Sequence, residues 1–156
     1  MTMNRRALLA AAAIGPAAAA LSAQAAAPPQ APALRATGDL GVVVERAQGA
    51  LTLVERSGRS IIGRVTGLGD LSHASAVFSR DERFVYVFGR DGGLTQVDLL
   101  TQAVAGRVVQ AGNSIGGAIS DDGRLVAAAN YDPGGVRVFD AETLEMVADI
   151  PSTYCD

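Results

Sequence analysis

The chain has one histidine, His73, set in Leu71-Ser72-His73-Ala74-Ser75 directly after the glycine-rich stretch Gly67-Leu68-Gly69-Asp70. A neutral imidazole is a good ligand for iron, provided its second nitrogen has a partner that fixes the tautomer. Two arginines occupy comparable glycine-ended turns: Arg46 in Glu45-Arg46-Ala47-Gln48-Gly49, and Arg90 in Gly89-Arg90-Asp91-Gly92-Gly93. The planar guanidinium fork suits two-point binding of carboxylates. Asn113 and Ser114 add neutral polar groups, Ser114 standing 41 residues beyond His73. Each of these residues has a plainer reading. His73 could tie strands together by hydrogen bonds, and the arginines could be solvated hairpin tips.

Other chemistries lack their residues. Cys155 is the only cysteine, so neither a disulfide framework nor a thiolate zinc site can form within the chain. No second histidine or acidic cluster completes a Ser-His-Asp triad. The glycines from Gly112 to Gly117 lack phosphate-loop spacing and a following helix, so they read as a tight turn and a strand needing small residues. Ser120-Asp121-Asp122-Gly123-Arg124 reads as a hairpin turn.

The elements that must position these groups come from an internal repeat. Phe78-Ser79-Arg80-Asp81-Glu82-Arg83-Phe84-Val85 recurs as Ile119-Ser120-Asp121-Asp122-Gly123-Arg124-Leu125-Val126, an offset of 41. Gly93-Leu94-Thr95-Gln96-Val97-Asp98-Leu99 recurs at an offset of 42 as Gly135 to Ala141, with an earlier copy from Gly49 to Glu55. Each copy holds short alternating runs of Val, Leu and Phe separated by glycine-containing turns, the pattern of antiparallel strands. In the middle copy the strands are expected at 74–79, 83–90, 93–99 and 103–110, and in the first at 40–46, 50–55 and 60–65. Four-stranded repeats of about 40 to 45 residues signal a β-propeller. The fold expected is therefore all-β, with about three blades.

The first copy lacks its inner strand, and roughly four blades are the minimum for a ring. We therefore expect an open arc that belongs to a longer protein. In a blade with strands A to D, connections alternate between the two rims, so D-to-A and B-to-C turns share a face. His73 falls in a D-to-A connection; Arg46 and Arg90 fall in B-to-C turns. Asn130, Tyr131 and Asp132 mark the next B-to-C turn, and Asn113 and Ser114 the next D-to-A loop. One rim should gather an imidazole and two guanidiniums.

The first residues carry an address. Asn4-Arg5-Arg6, an apolar run from Ala7 to Leu21 and Ala23-Gln24-Ala25 have the form of a secretory signal over residues 1–25, with paired arginines resembling a twin-arginine type. The run is too short for a membrane-spanning helix of about 20 apolar residues, so no anchor is expected after cleavage. Residues 26–37 are rich in Pro and Ala and read as a linker, leaving 38–156 for the propeller. The net charge of −3, carried with no lysine at all, offers no footprint for nucleic acid. Export implies the periplasm, where an unpaired Cys155 would be a liability.

The spacing from His73 across 15 residues to Gly89-Arg90-Asp91-Gly92, then Val97-Asp98-Leu99 and Phe139-Asp140-Ala141-Glu142-Thr143-Leu144-Glu145, resembles the d1-heme propeller. That propeller is shared by d1-type nitrite reductases and heme d1 biosynthesis proteins, and the chain is most similar to the NirF family among them. Gly38 to Val43, Gly67 to Ser75 and Gly112 to Ser120 carry the likeness, which extends from about Gly38 to Ile150 and covers the first third of a family member. The resemblance implies an eight-bladed ring, His73 as axial ligand of a heme iron, and Arg46 and Arg90 as holders of the macrocycle's carboxylates. Asn113 and Ser114 become weaker pocket candidates. The implied ligand or substrate is heme d1 or a dihydro-heme d1 precursor, and the implied role is heme d1 biosynthesis for nitrite reductase in denitrification. A tetrapyrrole-modifying oxidoreductase step and simple carriage are both compatible with it. The implied protein partners are d1-type nitrite reductase or other d1 maturation proteins. The sequence departs from the reductases at Ala76 and near Ser114 to Gly116, where they carry arginines, and it has no Cys-x-x-Cys-His, so nitrite reduction is not implied. The alternative is a propeller scaffold for protein contacts with a structural His73.

Overall fold

The computed structural model describes residues 37–152. The expected signal, most of the expected linker and Cys155 lie outside them. Eleven strands form three antiparallel sheets. The first sheet comprises β1 (Leu40–Glu45), β2 (Ala50–Glu55) and β3 (Ser60–Val65). The second comprises β4 (Ser75–Phe78), β5 (Phe84–Phe88), β6 (Gly93–Asp98) and β7 (Ala103–Val109). In the third are β8 (Asn113–Ile119), β9 (Leu125–Asp132), β10 (Gly134–Asp140) and β11 (Met146–Pro151). Spatial order follows chain order within every sheet. These are the up-and-down blades that the repeat predicts, at the expected places to within a residue or two.

Why these runs become strands is visible in their faces. Alternation sends Val85 and Val87 of β5 to one side of the middle sheet and Tyr86 and Phe88 to the other. Both sides are buried because a sheet packs on each. Leu51, Leu53, Val65, Val85, Val87 and Val97 fill the core between the first and second sheets. Tyr86, Phe88, Leu94, Val126 and Phe139 fill the core between the second and third. The middle strand β6 is consequently buried along its whole length, polar residues included.

The boundary at Arg46 bears on the candidate residues. Arg46 does not extend β1 but opens a 3-10 turn, Arg46–Gln48, which Gly49 closes with φ +58 in the left-handed region that glycine occupies without strain.

Candidate functional site

Three turns are stitched together on one rim. The loop after β3 donates Leu68 N–H to the Gly49 carbonyl at 3.0 Å, tying it to the Arg46 turn. Two residues on, the Asp70 carbonyl accepts Arg90 N–H at 2.8 Å, tying the same loop to the turn between β5 and β6. His73 follows, held by an Asx turn in which Ser72 N–H donates to Asp70 Oδ1 at 2.9 Å. The Ser72 backbone bond first, then the Ser72 hydroxyl and the fields of Arg90 and His73, hold the Asp70 carboxyl below the ordinary carboxylate range. An anionic group therefore stands close to both cation-capable side chains.

A cavity of about 480 Å³ opens here, lined by His73, Arg90, Asn113, Ile115 and Tyr131. His73 and Arg90 are exposed, and among the described residues no hydrogen bond or ion pair occupies either side chain. Asn113 and Ile115 reach the same wall through a local irregularity. β8 pairs with β9 as Asn113 with Asp132, Ser114 with Asn130 and Gly116 with Ala129, which leaves Ile115 without a partner. Such a bulge re-aims side chains. Asn113 and Ile115 line the cavity, whereas Ser114 is fully buried and its hydroxyl donates to the Ala129 carbonyl at 3.1 Å. The Asn113 Oδ1 atom is buried with no hydrogen-bond partner, and so is the Ser75 hydroxyl. Unsatisfied buried acceptors are costly, and a ligand-facing wall is a common reason for keeping one.

Of the five residues singled out from the sequence, the structure thus brings His73, Arg90 and Asn113 to one cavity. Arg46 is exposed on the neighbouring turn of the same rim and does not line it. Ser114 points into the protein. Tyr131 and Ile115 were passed over as candidates. Tyr131 lies at a B-to-C turn and could have been found from that position; Ile115 depends on the bulge, which no sequence pattern marks.

A larger cavity of about 660 Å³ lies among the A-to-B and C-to-D turns, on the other rim, lined by Arg80, Arg83, Tyr86 and Gln96 among others. Its two arginines and its tyrosine are already engaged. Arg83 binds Asp98 at 2.8 Å, Arg80 donates to the Ser120 carbonyl at 3.0 Å, and the Tyr86 hydroxyl donates to the Ala141 carbonyl at 2.8 Å. We therefore place the chemistry at the smaller cavity.

The residues there suit a flat, largely apolar, iron-bearing macrocycle with acidic side chains. One imidazole can supply an axial bond, one guanidinium a carboxylate clamp, and Ile115 and Tyr131 apolar surface. Among the described residues no group of three or more His, Cys, Asp or Glu side chains could hold a bare metal ion. Any metal bound by His73 would have to bring most of its own ligands.

Known proteins match most of the chain. Residues 35–156 match the family model described as cytochrome D1 heme domain. Protein NirF of Stutzerimonas stutzeri is 70% identical over 120 residues, covering 77% of this chain and 31% of that protein. Protein NirF of Pseudomonas aeruginosa is 63% identical over 124 residues, covering 80% and 32%. The solved structure of the dihydro-heme d1 dehydrogenase NirN in complex with DHE superposes with a TM-score of 0.72 at 34% identity, over 82% of this chain and 28% of that one. The chain spans about a third of the length of the curated NirF relatives it matches. It belongs to the cytochrome D1 heme domain family, and within that family to the NirF group.

Proposed function

We propose that the chain forms part of a periplasmic protein that binds heme d1, or its dihydro precursor, on this rim during heme d1 biosynthesis for nitrite reductase. The observation that carries the reading is the convergence of His73, Arg90 and Asn113 on one cavity with Ile115 and Tyr131. When bound, the tetrapyrrole supplies the redox-active iron and conjugated ring, while the protein supplies orientation and charge.

In this reading His73 would hold the iron through its imidazole, and Arg90 would hold a peripheral carboxylate by its fork. Arg46, one turn further along the rim, would be the candidate for a second carboxylate. Asn113 offers its unsatisfied Oδ1 as an acceptor at the wall, while Ser114 serves indirectly by anchoring the bulge through Ala129. Delivery of the tetrapyrrole implies contact with d1-type nitrite reductase or other maturation proteins. The NirN comparison lends support, since that relative is described in complex with DHE.

The test is a titration of the full-length protein with heme d1 under reducing conditions. The expected result is a shifted absorption spectrum that His73→Ala alters and that Arg46→Ala with Arg90→Ala weakens by at least about tenfold, the scale of losing a charged hydrogen-bonding partner. A spectrum indifferent to His73→Ala would overturn the axial assignment. No response from any of the proteins would overturn tetrapyrrole binding.

A further inference from the structure

Behind the cavity lies an ion pair that touches no part of it. Arg107, on β7, binds Asp91 at 2.6 Å between Nη2 and Oδ2, and both side chains are largely shielded from solvent. The same Arg107 nitrogen also reaches the Leu68 carbonyl at 3.4 Å. Asp91 in turn accepts from Asp70 N–H at 3.3 Å and from Gly93 N–H at 3.0 Å. Asp91 is the neighbour of Arg90, and Asp70 is three residues before His73. The carboxylate therefore joins the two segments that present the site's imidazole and guanidinium, and Arg107 holds that carboxylate from behind.

The surrounding glycines show that the fold is built around this pair. A methyl group on Gly69 would overlap the Asp91 carboxylate and the Arg107 guanidinium, and one on Gly93 would overlap the same guanidinium. Gly69 also sits at φ +84, where a side chain is strained in any case. Two glycine-bearing motifs, Gly67-Leu68-Gly69-Asp70 and Gly89-Arg90-Asp91-Gly92-Gly93, thus leave one shared space that the ion pair fills. A salt bridge at a solvated surface would need no such room.

We propose that Arg107 and Asp91 are positioning residues for the rim site: their ion pair sets the His73 loop against the Arg90 turn, so that both side chains engage one ligand at once. This rests on the tetrapyrrole reading above. Supporting partners of a metal-binding histidine commonly contribute about 10- to 100-fold to affinity without contacting the ligand.

A double-mutant cycle tests it, using the full-length protein, reduced heme d1 as the probe, and Arg90→Ala, Arg107→Gln and their combination. Arg107→Gln should weaken binding about tenfold. In the Arg90→Ala background the same change should cost no more than about twofold, because the placement it protects no longer matters. Arg107→Lys, which keeps the charge, should recover part of the loss. Equal costs in both backgrounds, or unchanged affinity in Arg107→Gln, would overturn the proposal. A ligand-free readout separates this from failure of the tetrapyrrole reading. Amide exchange at Asp70 to Ala74 and at Arg90 should quicken in Arg107→Gln while the cores keep their protection, and unchanged exchange there would count against the positioning role even if no tetrapyrrole bound. Should Arg107→Gln fold poorly, Asp91→Asn, which removes only the charge, is carried through the same measurements with the same expectations.

Discussion

Arginine supplies all thirteen basic residues of this chain, and the sequence alone gives no way to sort them. The structure does. Arg64, Arg83, Arg107, Arg124 and Arg137 are taken up by Glu45, Asp98, Asp91, Asp122 and Asp149. Arg90 joins no such pair and faces the cavity, which is what a carboxylate clamp requires. His73 was legible because it is unique and falls outside the repeat consensus. Its supporting pair was not, because Asp91, in the turn between β5 and β6, and Arg107, on β7, are 16 residues apart and meet only once the sheet has formed. One of the taken arginines gives a pH prediction. Arg64 donates to both oxygens of Glu45 at 2.8 and 2.7 Å, and the Thr52 hydroxyl adds a further bond. Arg64 first, then Thr52, lower the Glu45 carboxyl to about 2 from an ordinary 4.5. Because the folded value is depressed, the stabilisation is fully present above the unfolded value and fades as pH falls from there towards 2. Thermal melts should show Glu45→Gln less stable than the parent at neutral pH, with the gap narrowing over that acidic window. A gap of constant width would show that the ionised pair contributes nothing.

Single strands were predicted well because alternation and glycine turns are local signals. What joins one sheet to the next was not, since those contacts connect elements through side-chain shape. Gly116 and Gly117 illustrate the difference. Both read alike in the sequence, as small residues in an inner strand, yet only one is constrained. A methyl on Gly117 would overlap the Phe88 ring and the Ala127 carbonyl, whereas one on Gly116 would meet only the Ser75 hydroxyl at 3.6 Å, an ordinary contact. Gly117→Ala should therefore cost about 1 to 3 kcal/mol of overpacking, and Gly116→Ala should stay within about 0.5 kcal/mol. Chemical denaturation distinguishes them, and equal effects would refute the packing argument. The second and third sheets are also joined by a buried polar bond. The Tyr86 hydroxyl and Gln96 Nε2 both donate to the Ala141 carbonyl, at 2.8 and 3.0 Å. Tyr86→Phe leaves Ala141 one donor, so the expected loss is modest, about 1 kcal/mol. Replacing the whole ring of neighbouring Phe88 by Ala should cost about 3 to 5 kcal/mol instead.

For the whole molecule, the three sheets stack into two cores, and each end sheet keeps one face that no other described sheet covers. On the third sheet the register puts Ala118, Ala127, Val138 and Ala148 in one row and Ala129, Val136 and Ile150 in the next. These rows lie on the side opposite Val126 and Phe139, which belong to the core. Ile150 is 55% exposed there and Leu125 40%. Small apolar residues in flat rows are suited to packing against another sheet, as the other two interfaces of this molecule show. The repeat revealed this at once, because each copy carries the same alternation whether or not a neighbour is present to bury it. A polypeptide limited to residues 37–152 should therefore self-associate, since a patch of this kind in water is covered by whatever matching surface is available. Sedimentation velocity at rising concentration should show dimers or larger species, and Val138→Asp with Ile150→Asp should move the population back towards monomer. A parent fragment that stays monomeric at high concentration, with an unchanged profile in the double variant, would mean that this face is satisfied by water alone and that the two inner cores suffice to hold the arc.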